Sequence, residues 1–249
     1  MKISVLASGS SGNSVFLESK ESNILIDAGI SAKKIKNYLA ELGKDLKELD
    51  GVFVTHEHTD HVKGLEQLNK LKVPVYMNRE TFLSSNLYLE DVNFFQKKEF
   101  NLKDLKIKPI AISHDAANPV GFSIKNNGSL HGHLTDLGKY NEEIKEIVNK
   151  ADSLVLETNH DIDMVLNGNY PFHLKERIMG EKGHLSNIDA GLLVKENASS
   201  KLKNVFMAHI SENNNTHELA MTTFKELTKE LKLNRILTNA KKRTEVIKL

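Results

Sequence analysis

Hydrophobic residues fall into two patterns along this chain of 249 residues. Short apolar runs bounded by Gly, Ser, Asn or Pro are typical of strands, and apolar residues three or four positions apart are typical of helices. The first pattern predicts strands at 3–7, 14–18, 23–26, 51–54, 75–77, 107–112, 120–124, 130–135, 153–157 and 204–208, with a final edge strand at 244–249. The second pattern predicts helices at 31–43, 65–71, 141–150, 188–195 and 216–231.

The order of these elements is strands, helix, strand, helix, strand, and then the same order again. This loose duplication predicts an α/β fold of two mixed β-sheets whose outer faces are covered by helices. The chain has no short repeat, no low-complexity tract and no linker rich in Pro or Ser. We therefore expect a single domain over residues 1–249.

Composition limits the classes of function. A hydrophobic fraction of 39% and a charged fraction of 27% predict a folded, globular chain. The net charge of +1 excludes binding of nucleic acid by bulk charge, so any basic patch must be local. No apolar run approaches the roughly 20 residues that a membrane span requires, and the apolar start of the chain is too short for a signal peptide. We therefore expect no membrane partner.

Cysteine is absent, which excludes disulfides, thiolate zinc sites and cysteine nucleophiles. This absence fits a reducing compartment, so we expect a cytoplasmic location. Without cysteine, the side chains that favour transition metals are the 11 histidines.

Residues 225–249 form a locally basic tail with eight Lys or Arg and three Glu, and Lys241-Lys242-Arg243 is its densest part. Such a run is usually a solvated face or the protection of an edge strand. A patch that contacts duplex DNA is the alternative.

The most informative segment reads Thr55-His56-Glu57-His58-Thr59-Asp60-His61. Three His and one Asp at this spacing are expected in roughly one shuffled sequence in a thousand, so the motif is strong. A strand that ends here would deliver His56 and His58 to the same side, with Asp60 and His61 one tight turn later. Imidazole suits Zn, Fe or Mn, and carboxylate suits harder ions, so the loop can half-ligate two metals. The alternative is a solvated polar loop.

This segment is the intact H-x-H-x-D-H signature of the metallo-β-lactamase fold superfamily, which the chain resembles over most of its length. The resemblance implies a four-layer αββα sandwich. It also implies ligands after later strands, at His114, Asp136 and His209, and an early aspartate, Asp27, that orients the histidine loop. One metal would be bound by His56, His58, His114 and Asp136, and the other by Asp60, His61, Asp136 and His209.

Each later residue also has a simpler interpretation. Asp136 can cap a turn or a helix, His114 can belong to a plain surface loop, and His209 can be a hydrogen-bonded core histidine. Four histidines match no motif, and for them we favour a structural role: His131, His133, His173 and His217.

Two further segments favour a nuclease: Glu157-Thr158-Asn159-His160-Asp161 and Gly183-His184-Leu185-Ser186-Asn187. The second resembles an element of tRNA-3′-processing and related nucleases in which a histidine meets the phosphate or the leaving oxygen. A helix that starts there would itself favour an anion.

The spacing between ligands distinguishes nuclease families. His114 and Asp136 are 22 positions apart, too few for the tRNA-binding arm of tRNase Z enzymes, and Leu156 stands where those enzymes have His. Asp136 and His209 are 73 positions apart, too few for the cap domain of β-CASP ribonucleases.

Together with Ala7-Ser8-Gly9-Ser10-Ser11-Gly12-Asn13-Ser14 and Leu134-Thr135-Asp136-Leu137-Gly138, these segments resemble the WalJ/YycJ family of bacterial proteins over nearly the full length. The resemblance implies a 5′→3′ exonuclease that acts on double-stranded DNA. It also implies two divalent cations per chain, which can be Zn, Mn or Fe.

On this hypothesis, the two cations share a hydroxide that attacks phosphorus. Asp60 would also orient the nucleophile, and His184 would bind the scissile phosphate or protonate the departing oxygen. Glu157 would set the charge state of His184. The candidate substrate contacts are Ser10, Asn13, Asn159, His160 and Ser186.

Other functions remain open at this point. A small-molecule hydrolase for thioesters or lactones, of glyoxalase II type, would use the same ligands but give His184 no role. The intact ligand set disfavours a non-catalytic interaction module. A flavodiiron oxygen reductase is disfavoured because His58 stands where that group has Glu. The oligomeric state is not predicted.

Overall fold

The computed structural model describes residues 1–249 and contains two seven-stranded sheets. The strands of the first sheet are β1 (Lys2–Ala7), β2 (Ser14–Glu18), β3 (Asn23–Ile26), β4 (Gly51–Phe53), β5 (Val75–Met77) and β6 (Asn93–Phe94). The second sheet contains β7 (Phe100–Leu102), β8 (Leu105–Ala111), β9 (Val120–Asn126), β10 (Ser129–Leu134), β11 (Ser153–Glu157), β12 (Asn204–Ala208) and β13 (Asn234–Leu237). Strand β14 (Ile247–Lys248) returns to the first sheet beside β1.

Both sheets are mixed, as predicted. The first has the order β14-β1-β2-β3-β4-β5-β6, antiparallel up to β3 and parallel from β3 to β6. The second has the order β13-β12-β11-β10-β9-β8-β7, parallel from β10 to β13 and antiparallel from β7 to β10.

Helices cover the outer faces of both sheets. The helices are α1 (Ala32–Glu41), α2 (Thr59–Val62), α3 (Leu65–Lys70), α4 (Arg79–Ser84), α5 (Glu142–Lys150), α6 (Ile162–Asn167), α7 (Phe172–Met179), α8 (Asn187–Asn197) and α9 (His217–Leu227), with a 3₁₀ turn at Leu46–Glu48. None of them is long and apolar enough to cross a membrane.

Three apolar clusters hold the layers together. Side chains alternate along each strand, so β3 places Ile24 and Ile26 between the two sheets and Leu25 against α1 and α3. The inter-sheet cluster joins residues of both sheets, such as Phe53 and Phe122. The third cluster packs the second sheet against α5, α8 and α9. Full burial of each such side chain stabilises the fold by roughly 1.5–3 kcal/mol. The two sheets and the helices on their outer faces confirm the predicted four-layer αββα sandwich.

The helix predicted at 216–231 extends too far, because α9 ends at Leu227. The Thr228 hydroxyl donates to Phe224 O at 2.7 Å, and the Arg235 guanidinium donates to Thr228 O at 2.6 Å. Phe224 O also accepts from the Thr228 backbone N–H, so these bonds close the last turn of the helix at Thr228. The predicted edge strand at 244–249 is also shorter, at Ile247–Lys248.

Candidate metal centre

The carboxyl ends of the parallel strands meet at one edge of the sandwich, where α/β proteins commonly bind ligands. The predicted ligands follow these strands. Asp27 comes directly after β3, His56 three residues after β4, Asp136 two residues after β10, and His209 directly after β12.

Three of these residues have a left-handed backbone. The φ angles of Asp27, Asp136 and His209 are 61°, 56° and 54°. Each such conformation of a non-glycine residue costs of order 1–3 kcal/mol and persists only where the surrounding structure imposes it. Such residues concentrate at functional sites, so the strain at these three strand ends points to function.

The histidine loop leads from β4 into α2. His58 precedes the first turn of this helix, and the backbone N–H of His61 donates to His58 O at 2.8 Å. The turn brings the imidazoles of His56 and His61 to a centroid distance of 4.1 Å, and those of His56 and His58 to 4.6 Å. The loop therefore gathers its own side chains, as predicted from their spacing.

The seven predicted ligands lie in overlapping groups around one centre. The ligand atoms of each group lie within 4.8 Å of one another, and the groups are His56, His58 and His114; His56, His61 and Asp136; Asp60, His61 and His209; and Asp136, Glu157, His184 and His209. Asp136 connects the groups, because its Oδ2 lies 3.2 Å from His61 Nε2 and its Oδ1 lies 3.7 Å from His114 Nε2. The groups therefore share residues and form one continuous cluster of candidate ligands.

The centre fits a divalent metal on its own chemistry. His56 is fully buried, and its Nε2 has no hydrogen-bond partner. His58 Nδ1 and His114 Nε2 are 3.3 Å apart and belong to the same group as His56. A buried polar atom without a partner is costly, and a cation held by imidazole nitrogens and carboxylate oxygens would satisfy it.

Asp27 and Thr55 fix the orientation of the histidines. The buried Asp27 carboxylate accepts from the Thr55 N–H at 2.8 Å and lies 2.7 Å from His61 Nδ1. The Thr55 hydroxyl lies 3.0 Å from His56 Nδ1. Both imidazoles therefore keep Nε2 as the nitrogen available to a ligand.

Glu157 positions His184 beside the centre. One oxygen of this fully buried carboxylate lies 2.8 Å from His184 Nδ1 and 2.9 Å from His209 Nδ1. The other oxygen accepts from the backbone N–H groups of Leu137 at 2.7 Å and Leu185 at 3.2 Å. The side chain of His184 is 22% exposed, so its ring is accessible from the mouth of the site.

These contacts shift the pKa values of His184 and Glu157. Burial alone would lower the pKa of His184, but the charge and hydrogen bond of Glu157 offset it and raise this pKa above its usual value. Burial alone would raise the pKa of Glu157, but His184 and His209 lower it to about 2. A raised pKa keeps a larger fraction of His184 protonated near neutral pH, as a general acid requires.

The five candidate substrate contacts have different environments. Ser10 is exposed in the loop after β1, whereas Asn13, Asn159, His160 and Ser186 are at most 5% exposed. Asn159 donates to His209 O at 2.8 Å, and Ser186 caps α8 through Asp189 N at 3.0 Å. Asn13 Nδ2 lies 3.2 Å from Asp60 Oδ2, and His160 Nδ1 has no partner.

Three residues that support the candidate ligands were not assigned that role from the sequence. The Ser8 hydroxyl accepts from the His209 N–H at 2.7 Å, and Thr55 bridges Asp27 and His56. Asp115 places Oδ1 3.4 Å from His114 Nε2, and the Arg177 side chain binds its other oxygen at 2.6 Å. Ser and Thr are too common in turns to stand out, and only adjacency to His114 could have singled out Asp115.

Comparison with known proteins agrees with the fold. The chain matches the family described as "Beta-lactamase superfamily domain" over residues 22–210. It is 34% identical to the exodeoxyribonuclease YycJ of Bacillus anthracis over 92% of this chain and 90% of that protein. It is 36% identical to the exodeoxyribonuclease WalJ of Streptococcus pneumoniae over 89% of this chain and 86% of that protein. The crystal structure of the metallo-β-lactamase fold protein YhfI from Bacillus subtilis superimposes with a TM-score of 0.74, at 15% identity and over 99% of this chain and 98% of that chain.

Proposed function

The chain belongs to the β-lactamase superfamily, in the family of the exodeoxyribonucleases YycJ and WalJ, and from this premise we propose that it is a metal-dependent DNA exonuclease. We infer that it shortens double-stranded DNA in the 5′→3′ direction. The names of relatives aligned over nearly their full length support a DNA substrate.

The observation that carries the proposal is the position of His184. This partly exposed histidine belongs to the same ligand group as Asp136 and is held by a buried carboxylate, Glu157. Cleavage of a phosphodiester needs a proton for the departing oxygen, and His184 can supply it. A hydrolase for thioesters or lactones would use the same metal ligands but leave His184 without a role.

We propose two divalent cations, drawn from Zn, Mn and Fe. His56, His58 and His114 would hold one, Asp60, His61 and His209 would hold the other, and Asp136 would contact both. Bound cations would polarise the phosphoryl oxygens and make water acidic enough to act as a nucleophile near neutral pH.

The residues of the chain then have separate roles. Asp60, whose side chain is 24% exposed, orients the attacking water in addition to its proposed role as a ligand. As the oxygen of this water bonds to phosphorus, the bond to the departing oxygen breaks and His184 donates its proton there. Glu157 holds His184 by Nδ1, which leaves Nε2 to face the substrate. Of the predicted substrate contacts, the exposed Ser10 would meet the strand directly. The others are buried and would act through the groups that they contact: Asn13, Asn159, His160 and Ser186.

We place this reaction in the cytoplasm. A DNA substrate and the absence of cysteine support this location.

The experiment is a time course on end-labelled duplex DNA with Mn²⁺ or Zn²⁺. We expect wild type to shorten the DNA and Asp136→Ala to lose both metal and activity. His184→Ala should keep its metal content, measured by mass spectrometry, and lose about 10²–10⁴-fold in rate.

His173→Ala is the matched control, because His173 is an exposed histidine on α7 outside the centre. It should cleave like wild type. A His184→Ala variant that cleaves at the wild-type rate would reject the assignment of the proton donor. Thioester turnover without DNA cleavage would reject the nuclease.

A further inference from the structure

A polar cavity of about 370 Å³ lies beside the metal centre, on the side of His209. Its walls come from the loop after β1, the loop between β12 and α9, and the segment after β13. The lining includes Ser8, Ser211, Thr216 and Lys241. Eight of the ten lining residues are polar, so the cavity suits a hydrogen-bonding ligand.

The cavity and the candidate metal centre are connected through Ser8 and the residues that it contacts. Ser8 lines the cavity, and its hydroxyl accepts from the backbone N–H of His209 at 2.7 Å. The same hydroxyl donates to Asn13 Oδ1 at 3.2 Å, and Asn13 Nδ2 reaches Asp60 Oδ2 at 3.2 Å. A ligand that contacts Ser8 would therefore be separated from His209 by one residue and from Asp60 by two. His209 and Asp60 are proposed ligands of the second cation.

The charges around the cavity favour an anion. Lys241 belongs to the lining, and Lys34 from α1 donates to Ala240 O at 3.0 Å in the same segment. Neither ammonium is in an ion pair with a carboxylate. The one acid of the lining, Glu212, is exposed like Lys241, so solvent screens both charges, and the positive balance comes from Lys34, which contacts the same segment. Lys241 thus brings one cation of the basic segment 241–243 to the edge of the candidate site.

Backbone donors add to this field. Thr216 caps α9, a helix of 11 residues, and both Thr216 and His217 line the cavity. The Thr216 hydroxyl already accepts from the Leu219 N–H at 3.0 Å, so the N–H groups of His217 and Glu218 are the ones that remain without an intrahelical partner and favour negative charge. Together with the ammonium of Lys241, they form a donor set that suits phosphate oxygens.

An exonuclease must recognise a strand end, and the end differs from the interior in charge. A terminal phosphate monoester carries about −1.5 to −2 charges at pH 7, whereas an internal phosphodiester carries one. Two ammonium groups without acidic partners would bind the more highly charged terminal phosphate more tightly than an internal phosphodiester.

We infer that this cavity binds the 5′-phosphate of the strand that is shortened. This inference rests on the proposed function and gives the basic segment a role that the sequence leaves open. Lys241 is its principal ligand, and Lys34 supports it from behind.

The test compares blunt duplexes that differ only at their ends, with a 5′-phosphate, a 5′-hydroxyl or an added 3′-phosphate. For wild type we expect kcat/KM on the 5′-phosphorylated end to exceed that on the 5′-hydroxyl end at least tenfold. Lys241→Gln and Lys34→Met should each bring this ratio closer to one, and Lys241→Arg should preserve it. Lys242→Gln is the matched control, since Lys242 is an adjacent exposed lysine outside the cavity.

A binding measurement without metal separates recognition from chemistry. Fluorescence anisotropy of the 5′-phosphorylated duplex, titrated at several salt concentrations, gives the slope of log affinity against log salt. Lys241→Gln removes one phosphate contact and should reduce the magnitude of that slope by about 1. Lys242→Gln removes no such contact and should leave the slope unchanged.

Equal cleavage of the 5′-phosphate and 5′-hydroxyl ends, an unchanged slope in Lys241→Gln, or a preference for the 3′-phosphate would each overturn the inference while leaving the nuclease intact. Failure of wild type to cleave any of the duplexes would reject the proposed function itself.

Discussion

Asp27 connects the histidine loop to the end of β3. It is fully buried, has a left-handed backbone, and binds Thr55 N–H and His61 Nδ1 through its two carboxylate oxygens. An Asn at this position tolerates the same backbone but offers only one acceptor oxygen. The orientation of His61 therefore depends on a carboxylate here.

We expect Asp27→Asn to weaken metal binding about 10–100-fold without unfolding the chain, because it removes the acceptor that orients a proposed ligand. Competition with a chelator of known affinity measures the loss, and circular dichroism checks the fold. Asp45→Asn is a matched control, because Asp45 caps a surface 3₁₀ turn. Unchanged metal affinity in Asp27→Asn would show that Asp27 does not orient the loop.

Among single residues, the sequence identified the histidines and aspartates of an improbable motif, but it did not identify the supporting role of serine and threonine, which are common in turns. The spacing of His56 to His61 is improbable by chance, so it identified the loop before any fold was known. Ser8 and Thr55 became visible only when strands distant in sequence were brought together. Whether the predicted residues ligate metal stays a prediction, and so do the roles of His184 and Glu157.

Among the elements, the junction between β3 and α1 supports the metal centre. The backbone of Gly29 donates to Asn13 O at 2.8 Å, and the Asn13 N–H donates to Asp60 O at 2.8 Å. A Cβ atom on Gly29 would lie 1.6 Å from Asp60 O and 2.6 Å from Asn13 N. Only glycine lets these three segments approach so closely.

We therefore expect Gly29→Ala to cost about 3 kcal/mol or more in the free energy of unfolding and to displace Asp60, which weakens metal binding as well. Urea unfolding and metal titration measure the two effects. Gly128→Ala is the comparison, because its Cβ would meet nothing within 4 Å and only its φ of 84° is unfavourable, at about 1 kcal/mol. Equal stabilities of the two variants would contradict the close approach at Gly29.

The elements that the sequence failed to predict are short or weakly patterned. Strand β13 has four residues, and α7 buries none of its side chains, so neither gives a clear apolar period. The long strands and α5 were predicted well because they bury a regular face. Sheet order could not be read from the chain, since it depends on which strands pair across large separations.

For the whole molecule, two buried histidines in the second sheet link stability to pH. His131 and His133 are at most 2% exposed on β10, and His131 Nδ1 lies 2.8 Å from the Ser153 hydroxyl. Burial, and then repulsion by His133, lowers the pKa of His131 to about 3. The unfolded chain would bind a proton near pH 6.5, so the folded state loses stability as pH falls from 6.5 towards 3.

We expect His131→Gln, which keeps a hydrogen-bonding side chain that does not titrate, to lose less stability on acidification. Between pH 7.5 and 5.5 the difference from wild type should be about 1.4 kcal/mol in the free energy of unfolding. Urea unfolding at both pH values, with chelator present, measures it, and His173→Gln at an exposed position serves as control. Parallel losses in wild type and His131→Gln would show that His131 is protonated in the folded chain.

The two halves of the metal centre lie far apart in sequence, and this separation sets an order of events during synthesis. The loop from His56 to His61 leaves the ribosome well before Asp136, Glu157 and His209 are made. Contacts of such long range form only after the entropy of closing the intervening chain has been lost. A nascent chain that has completed only its first sheet thus carries imidazoles without the carboxylate of Asp136, and the capacity to cut DNA that we propose arises only when the second sheet docks.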